Sequence, residues 1–441
     1  MAVVGIRRED KSVFERRVPL VPADVALLVE QGIDFEVERS RQRCISDSEF
    51  EEAGATLVDD LDRAAVVLGV KEIPAEKIRD GLSYLFFSHT IKGQPYNMPL
   101  LRTILDRGCT LLDYELIRDE NGVRTVAFGR HAGLAGAIDT LHALGQRLLL
   151  DGHDTPMARV KSAREYGEVA VAEHDLKRVA EELKAKPLPE AISPLVLGVT
   201  GEGGKVWGGA CEILRAAGAQ EIEAHDVADF VEKFRGAAPC LHFASYDPGD
   251  LVEPIDDRAY EFQDYLDHPE AYRARFSAAL EHLSAVVYGI LWSPGYPRFI
   301  LRSDVARLFE SAAAPRLRVV CDITCDPGGS DELLDHTTDP GQPCYVVNPA
   351  DGSYVEGMEG SGVLVWAVDI LPAEIPVDAS RHFSEVLTPL VAGLARDDLA
   401  ERPEDLRFPA ALRGAFLTQR GQLLPDWEPR LREALYAHGL D

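Results

Sequence analysis

Apolar positions along this chain switch repeatedly between two periods. Short apolar runs, the mark of buried strands, alternate with segments whose apolar residues recur every three or four positions, the mark of helices. MAVVGI reads as a strand. The polar stretch RREDKSVFERR and the breakers Pro19 and Pro22 follow, and then an amphipathic helix closed by Gly32. IDFEVERS alternates as a strand, and ISDSEFEEAGATLVDD reads as a helix started by Ser46 or Asp47. AAVVLGVKEIP and LSYLFFSHTIKGQ read as strands, YNMPLLRTILDRG as a helix and CTLLDYELI as a strand. Strands spaced by helices of about ten residues predict a parallel sheet. Residues 126–150, rich in small residues, form a long helix that should be buried. The charged helical segment after it ends in prolines, a candidate hinge.

A second alternation begins at LVLGVTGEGGKVWGGACEILRAAG, residues 195–218. An apolar strand runs into five glycines within nine residues, followed by helical spacing at Ala210, Ile213, Leu214 and Ala217. A strand, a glycine turn and a helix can hold a dinucleotide, since glycines let backbone N–H groups approach the pyrophosphate at a helix N-terminus. Gly201 and Gly203 fit G-x-G-x-x-G, Val206 takes the third glycine's place, and Gly208 comes two residues later. Asp226, 25 residues after Gly201 with Glu223 nearby, is the candidate ribose acid at the end of a second strand. The alternative is a tight turn that binds nothing. APCLHFA, AVVYGILW, LRVVCDIT and CYVVNP continue as strands. The acidic, aromatic stretch 246–277 reads as an insertion over a cleft or at a subunit contact, or equally as a solvated helical face. Beyond Gly362 the pattern is helical with no strand of its own, so this part is expected to pack back on the first domain and leave two hinge crossings.

At 441 residues the chain calls for two domains. A net charge of −28 opposes nucleic acid or anionic lipid as a partner, though a local arginine cluster could still hold an anionic small molecule. Seven unpatterned cysteines suit a reducing cytoplasm and no metal site. No signal peptide and no apolar run of about 18 residues is present, which points to a cytoplasmic protein without a membrane span.

The chemistry-bearing residues fall just after strands: Lys71 after VVLGV, His89 and Lys92 after YLFFS, Glu115 after TLLDY. In parallel sheets the C-terminal strand ends form the ligand crevice, so several polar groups sent to one edge suggest a site. Singly, each would pass for a solvated cap.

The motifs IRREDKSVFERRVPLVP, LGVKEIP, FFSHTIKGQ, LLDYELI, VAFGRHAGLAGAIDTLHALG, CDITCDPGGS, VEGMEGSGVL and VDILPAEIP, in this order, resemble the alanine dehydrogenase/transhydrogenase-like group. Within it the likeness is to lysine–2-oxoglutarate reductases and saccharopine dehydrogenases, above all the reductase domain of bifunctional aminoadipic semialdehyde synthases. The resemblance implies an α/β fold of two Rossmann-like domains, with the dinucleotide-binding domain inserted between the N- and C-terminal parts of the other. The expected boundaries are 1–135, 136–365 and 366–441. It implies reductive condensation of lysine with 2-oxoglutarate to saccharopine, or the reverse, by NADP(H) or NAD(H). Asp226 favours NAD(H), whereas the reductase likeness favours NADP(H), and on the resemblance alone NADP(H) is the expected cofactor.

By the same resemblance Lys71 and His89 are acid/base groups. Arg17, Lys92 and Arg124 bind substrate carboxylates, Glu115 tunes the lysine, and Asp369 lies near the nicotinamide. Gly201, Gly203, Gly204, Gly208 and Asp226 are the remaining candidate cofactor residues. The extra glycines Gly204 and Gly209 and the bulky Trp207 depart from the family's loop. General chemistry agrees with these roles. Imine formation needs a group cycling near neutral pH, as histidine does. A lysine among cations in a dry cleft can serve as base, and arginine forks match a dicarboxylate. No metal is expected, a homo-oligomer is compatible, and the partners are small molecules. The competing readings are another opine-type amino acid dehydrogenase, a non-catalytic NAD(P)-binding regulator, and a transhydrogenase-type module needing a membrane partner.

Overall fold

Six strands form before residue 114: β1 (Val3–Ile6), β2 (Phe35–Glu38), β3 (Thr56–Val58), β4 (Ala64–Leu68), β5 (Ser83–Phe86) and β6 (Thr110–Asp113). Between them lie the helices α1 (Pro22–Glu30), α2 (Asp47–Glu52) and α3 (Met98–Asp106). Ser46 starts α2 through a reciprocal capping box with Glu49, which ties off two backbone donors. The predicted α2 is shorter than its sequence pattern, because Gly54 (φ +90°) ends it and Thr56–Val58 then pairs with β2 as β3. The strand expected over residues 82–94 stops at Phe86. There His89 turns into the left-handed region (φ +53°) and opens a 3-10 turn, Thr90–Lys92.

This computed structural model describes the whole chain apart from residues 1, 187, 237–239, 257, 312–314, 397, 398, 400, 402, 408 and 441. The chain divides into two compact units, Met1–Ala127 with Pro376–Asp441, and Phe128–Ile375. The chain thus crosses between units at 127–128 and 375–376, where the expected boundaries were 135–136 and 365–366, and not at the proline-rich stretch near residue 188.

The inserted unit opens with α4 (Gly129–Leu150), α5 (Ala163–Tyr166) and α6 (Val169–Ala185). Gly167, in the left-handed region, divides α5 from α6, which the sequence pattern joined. β7 (Leu195–Thr200) then leads into α7 (Lys205–Ala216), β8 (Gln220–Glu221), α8 (Val227–Lys233) and β9 (Leu241–Tyr246). The acidic region folds around a hairpin of β10 (Val252–Pro254) and β11 (Tyr272–Ala274), followed by β12 (Ala285–Tyr288), β13 (Val319–Asp322), β14 (Cys344–Val347), β15 (Tyr354–Glu356) and β16 (Val363–Trp366). Tyr265, Tyr272 and Phe276 of that acidic region join the buried core, while Ile255, Phe262 and Leu266 are exposed.

The sheet order is β15-β14-β16-β13-β12-β7-β9-β8, parallel from β16 to β8. β7 is buried on both faces: Leu195, Leu197 and Val199 join one core and Val196 the other. Such strands read as continuous apolar runs. Helices α4 and α7 press backbone against backbone. A Cβ on Gly133 would stand 1.9 Å from the Val206 carbonyl oxygen, and one on Gly209 would stand 2.1 Å from that of Arg130.

The last segment returns to the first unit. Ser380 and Ser384, on the helix Pro376–Leu394, accept hydrogen bonds from the backbone N–H groups of Val18 (3.0 Å) and Val21 (2.9 Å). β17 (Phe416–Gln419) and β18 (Gln422–Leu423), absent from the sequence reading, extend the first sheet. Its order is β18-β17-β6-β5-β4-β1-β2-β3, parallel from β6 to β3 and antiparallel at β17 and β18.

Candidate functional site

Four adjacent parallel strands of the first unit, β6, β5, β4 and β1, end on one edge, and each delivers polar groups there. Glu9 follows β1, Lys71 follows β4, His89 follows β5 and Glu115 follows β6. The structure therefore brings the sequence-derived set to a single sheet edge. It also adds two carboxylates that sequence reading passed over.

The first is Glu9, which is buried. Its Oε1 accepts from the Val70 N–H (2.7 Å) and its Oε2 from the Lys71 N–H (3.0 Å), so it fixes the backbone that carries Lys71. Burial pushes its carboxyl up to about 7, against the pull of nearby Arg7 and with a further push from Glu15. Glu15 and Arg17 form a buried bidentate pair, Arg17 Nε to Oε1 at 2.8 Å and Nη2 to Oε2 at 2.5 Å. Burial raises the Glu15 carboxyl, but Arg17, with a smaller contribution from Lys71, outweighs it and holds it below the ordinary range. Lys71 thus shares an electrostatic neighbourhood with Glu15. Arg17, expected on a substrate carboxylate, gives two nitrogens to a carboxylate of the protein.

The second is Asp113, fully buried at the end of β6. Its Oδ2 accepts from the Ser88 backbone N–H (3.1 Å) and from the Ser88 hydroxyl, and its Oδ1 accepts from the Glu115 N–H at 2.8 Å. One carboxylate therefore spans the exits of β5 and β6 and sets His89 beside Glu115. His89 Nδ1 lies 3.6 Å from Glu115 Oε2, a buried oxygen without a hydrogen bond of ordinary length among the described residues, and Arg124 Nη1 lies 3.3 Å from Oε1. Burial pushes the Glu115 carboxyl up, but His89, Arg124 and Lys92 together hold it below the usual range. The left-handed His89 backbone is held by Asn97, whose Nδ2 donates to the His89 carbonyl at 3.1 Å. The His89 ring stacks on Phe87, and the Arg124 guanidinium covers the same Phe87 ring at 5.2 Å. The sequence signal for both new carboxylates was an acid at or just past the end of an apolar run, in VVGIRRE and TLLD.

The glycine turn belongs to the inserted unit. Gly201 (φ +80°) and Gly203 (φ +81°) take conformations that favour glycine, and a Cβ on Gly201 would stand 2.8 Å from the Gly289 carbonyl oxygen. Gly204 is the extended N-cap of α7, where a Cβ would crowd the Gly201 carbonyl at 2.9 Å. A Cβ on Gly203 or Gly208 would meet open space, while Gly209 supplies the close helix packing expected of a third glycine. The Trp207 indole N–H donates to Ser245 Oγ (2.8 Å), whose hydroxyl donates to Glu221 Oε1 (3.1 Å), which ties α7 to β9 and β8.

Asp226 does not stand where its spacing suggested. β8 is an edge strand of two residues, separated from β7 by β9, and Asp226 opens α8 with an exposed side chain 3.7 Å from His225 Nε2. Asp369 follows β16, its N–H donating to the Thr338 carbonyl, and its charge reaches Cys325 in the loop beyond β13. An open glycine cradle at the N-terminus of a long helix, at the C-terminal edge of a parallel sheet, fits the pyrophosphate of a dinucleotide.

Two such doubly wound units, one carrying strand-end lysine, histidine and carboxylates and the other a glycine turn, have the architecture of a solved L-alanine dehydrogenase. The TM-score is 0.62 at 19% identity, covering 98% of this chain and 99% of that one. Residues 5–135 match the family "Alanine dehydrogenase/PNT, N-terminal domain".

Over 98% of its length the chain is 33% identical to the mitochondrial alpha-aminoadipic semialdehyde synthase of Bos taurus, and it covers 48% of that protein. It is 28% identical to the "Saccharopine dehydrogenase [NAD(+), L-lysine-forming]" of Emericella nidulans, over 88% of this chain and 90% of that protein. The likeness read from the motifs is the likeness these comparisons return. The chain spans about half the length of the semialdehyde synthases it matches. Among the described residues no helix is long and apolar enough to cross a membrane.

Proposed function

We propose that the chain is an NAD(P)H-dependent oxidoreductase that joins the ε-amine of lysine to the keto carbon of 2-oxoglutarate and reduces the resulting imine to saccharopine, or runs the reverse. The observation that carries this reading is the convergence of Lys71 and the His89–Glu115–Arg124 chain on one edge of the first sheet. The first unit would take the two substrates and the inserted unit the dinucleotide.

The amine attacks the carbonyl, and the carbinolamine loses water to give the imine. Each step moves a proton on or off oxygen or nitrogen. His89 is placed to carry those protons, with Glu115 beside its Nδ1 to orient the ring. Lys71, its backbone pinned by Glu9, is placed to hold or release the proton of the bridging nitrogen. Arg124 and Lys92 supply positive charge for the substrate carboxylates. A nicotinamide dinucleotide, when bound, supplies the hydride. Gly201, Gly203 and Gly204 would seat its pyrophosphate, and Asp369 would stand toward its nicotinamide end. Seven free cysteines suit the reducing cytoplasm as the protein's compartment, and a homo-oligomer is compatible with this reading.

The test is NAD(P)H oxidation on mixing lysine and 2-oxoglutarate, each component being omitted in turn. Turnover that requires both is expected. Turnover with another amine or oxo acid but not with these would move the protein to a different opine-type reaction. Dinucleotide binding without any turnover would make it a regulator.

A further inference from the structure

We propose that Asp331 is a positioning residue of the dinucleotide site, one that holds Asp322 and, through it, the turn at residues 323–326. The proposal rests on the dinucleotide reading above and says what fixes the half of that site beyond the glycine turn. Strand order in the inserted sheet reverses between β7 and β12, and a dinucleotide lies across such a point, at the C-terminal ends of the strands. One half therefore passes over the ends of β12 and β13. The exit of β12 already touches the glycine turn, since the Gly289 N–H donates to Thr200 Oγ1 at 3.0 Å. The exit of β13 comes next, where the Ile323 N–H donates to the Tyr288 carbonyl at 2.8 Å.

Asp322, the last residue of β13, shapes the turn that follows. Its Oδ1 accepts from the Thr324 N–H (2.8 Å), the Thr324 hydroxyl (2.5 Å) and the Cys325 N–H (3.3 Å). Cys325 stands in the left-handed region (φ +50°), which a residue with a side chain keeps only where its surroundings hold it there. Asp331 closes the far end of the same loop. Its Oδ1 accepts from the Leu333 N–H at 2.8 Å, its backbone bridges to Ile300, and the neighbouring Ser330 hydroxyl bonds that of Tyr288 at 2.6 Å. Each aspartate then has one oxygen left. Both Oδ2 atoms are buried, and neither has a donor from another group among the described residues. The two carboxyls are in hydrogen-bonding contact with each other. Two carboxylates cannot make that bond, because both only accept; one proton held between them supplies the donor.

The surroundings favour keeping that proton. Burial raises Asp322 from 3.8 to about 6 against the pull of its Thr324 and Cys325 donors, and raises Asp331 well above 3.8 with a further push from Asp322 and Glu332. Asp326 adds to the repulsion on Asp322. The Arg298 guanidinium is spent on Glu332 and on the Gly328 carbonyl, both at 3.1 Å. The Tyr288 and Tyr345 hydroxyls and the Cys321 and Cys325 thiols also face the pair, and burial pushes all four upward, away from neutrality. Loss of the shared proton sets two buried charges against each other and releases Asp322 from Asp331, and with it the turn that carries Cys325.

The experiment titrates the full chain with NADH and with NADPH by calorimetry, in steps from about pH 6 to about pH 9, for the wild type, Asp331→Asn and Asp331→Ala. Asparagine keeps an acceptor for the Leu333 N–H and offers Asp322 a donor that no rise in pH removes. The wild type is expected to loosen by about tenfold across the range, while Asp331→Asn matches it at the acid end and keeps its affinity at the alkaline end. Asp331→Ala should bind about tenfold more weakly than wild type at the acid end. A wild-type affinity flat with pH, an asparagine variant that loosens in step with wild type, or a folded alanine variant that binds as tightly as wild type would each overturn the proposal and leave the dinucleotide reading standing. If the alanine protein fails to fold, the comparison of wild type with asparagine decides. Binding of neither dinucleotide by the wild type would overturn the dinucleotide reading itself, and this proposal with it.

Discussion

Asp113→Asn isolates the carboxylate that spans the exits of β5 and β6. The amide can keep its oxygen toward the two Ser88 donors, but its NH₂ then faces the Glu115 N–H, donor against donor. Losing that bond and stranding a buried donor is worth about 1–3 kcal/mol. If the whole loss falls on the His89–Glu115 geometry, turnover drops by about 5- to 150-fold.

The same substitution changes the pH dependence of stability in a computable direction. Burial raises the Asp113 carboxyl from 3.8 to about 6, so the folded state holds its proton more tightly than the unfolded chain does. That contribution is fully present below pH 3.8 and is lost as pH rises through about 6, a slope worth roughly 3 kcal/mol. The asparagine protein lacks this slope. Urea unfolding across about pH 4 to 8 should therefore show the variant's deficit shrinking with pH. Under the proposed activity, lysine-dependent oxidation of NAD(P)H should show the loss of rate at every pH. Parallel stability curves for the two proteins, or unimpaired turnover, would refute the role assigned to Asp113.

Lys71→Met should lower kcat by about two to four orders of magnitude while dinucleotide affinity, measured by calorimetry, stays the same; turnover within a few-fold of wild type would sink the acid/base role. Gly133→Ala places a methyl 1.9 Å from the Val206 carbonyl and should cost at least about 1–3 kcal/mol in thermal unfolding, as the α4–α7 contact is forced apart. Glu374 is buried against Asp139, and burial together with that neighbour's charge raises its carboxyl well above 4.5. Wild-type stability should fall as pH climbs from about 4.5 through neutrality, and Glu374→Gln should flatten that decline; an equally steep decline in the variant would show that the pair carries no proton.

The strands that build the candidate site were legible because parallel strands buried on both faces leave unbroken apolar runs, as in AAVVL and LVLGV. β17 escaped notice because FLTQ is only four residues long, and its neighbour β6 lies some 300 residues earlier, beyond the reach of any local pattern. Lys71, His89 and Glu115 stood out as polar groups following apolar runs. Glu9 and Asp113 did not, because an acid that binds backbone N–H groups has the same local sequence as one that faces water. Asp226 was misplaced by spacing alone. The rule that an acid follows the turn by about 20 residues assumes that the second strand lies beside the first. Here β9 lies between them.

The pairing of β17 with β6 bears on how the protein is made. The Leu111 N–H donates to the Thr418 hydroxyl across a sequence separation of 307 residues. On a ribosome the inserted unit, Phe128–Ile375, emerges complete and can close its own sheet. The first-made sheet cannot. Until residues 376–419 emerge, β6 presents an unpaired edge and α1 lacks the helix that later covers it, a template for joining other nascent chains. The earlier-made of the two sheets is thus the later to be finished. Premature termination between residues 113 and 375 should yield aggregation rather than a soluble fragment of the first unit.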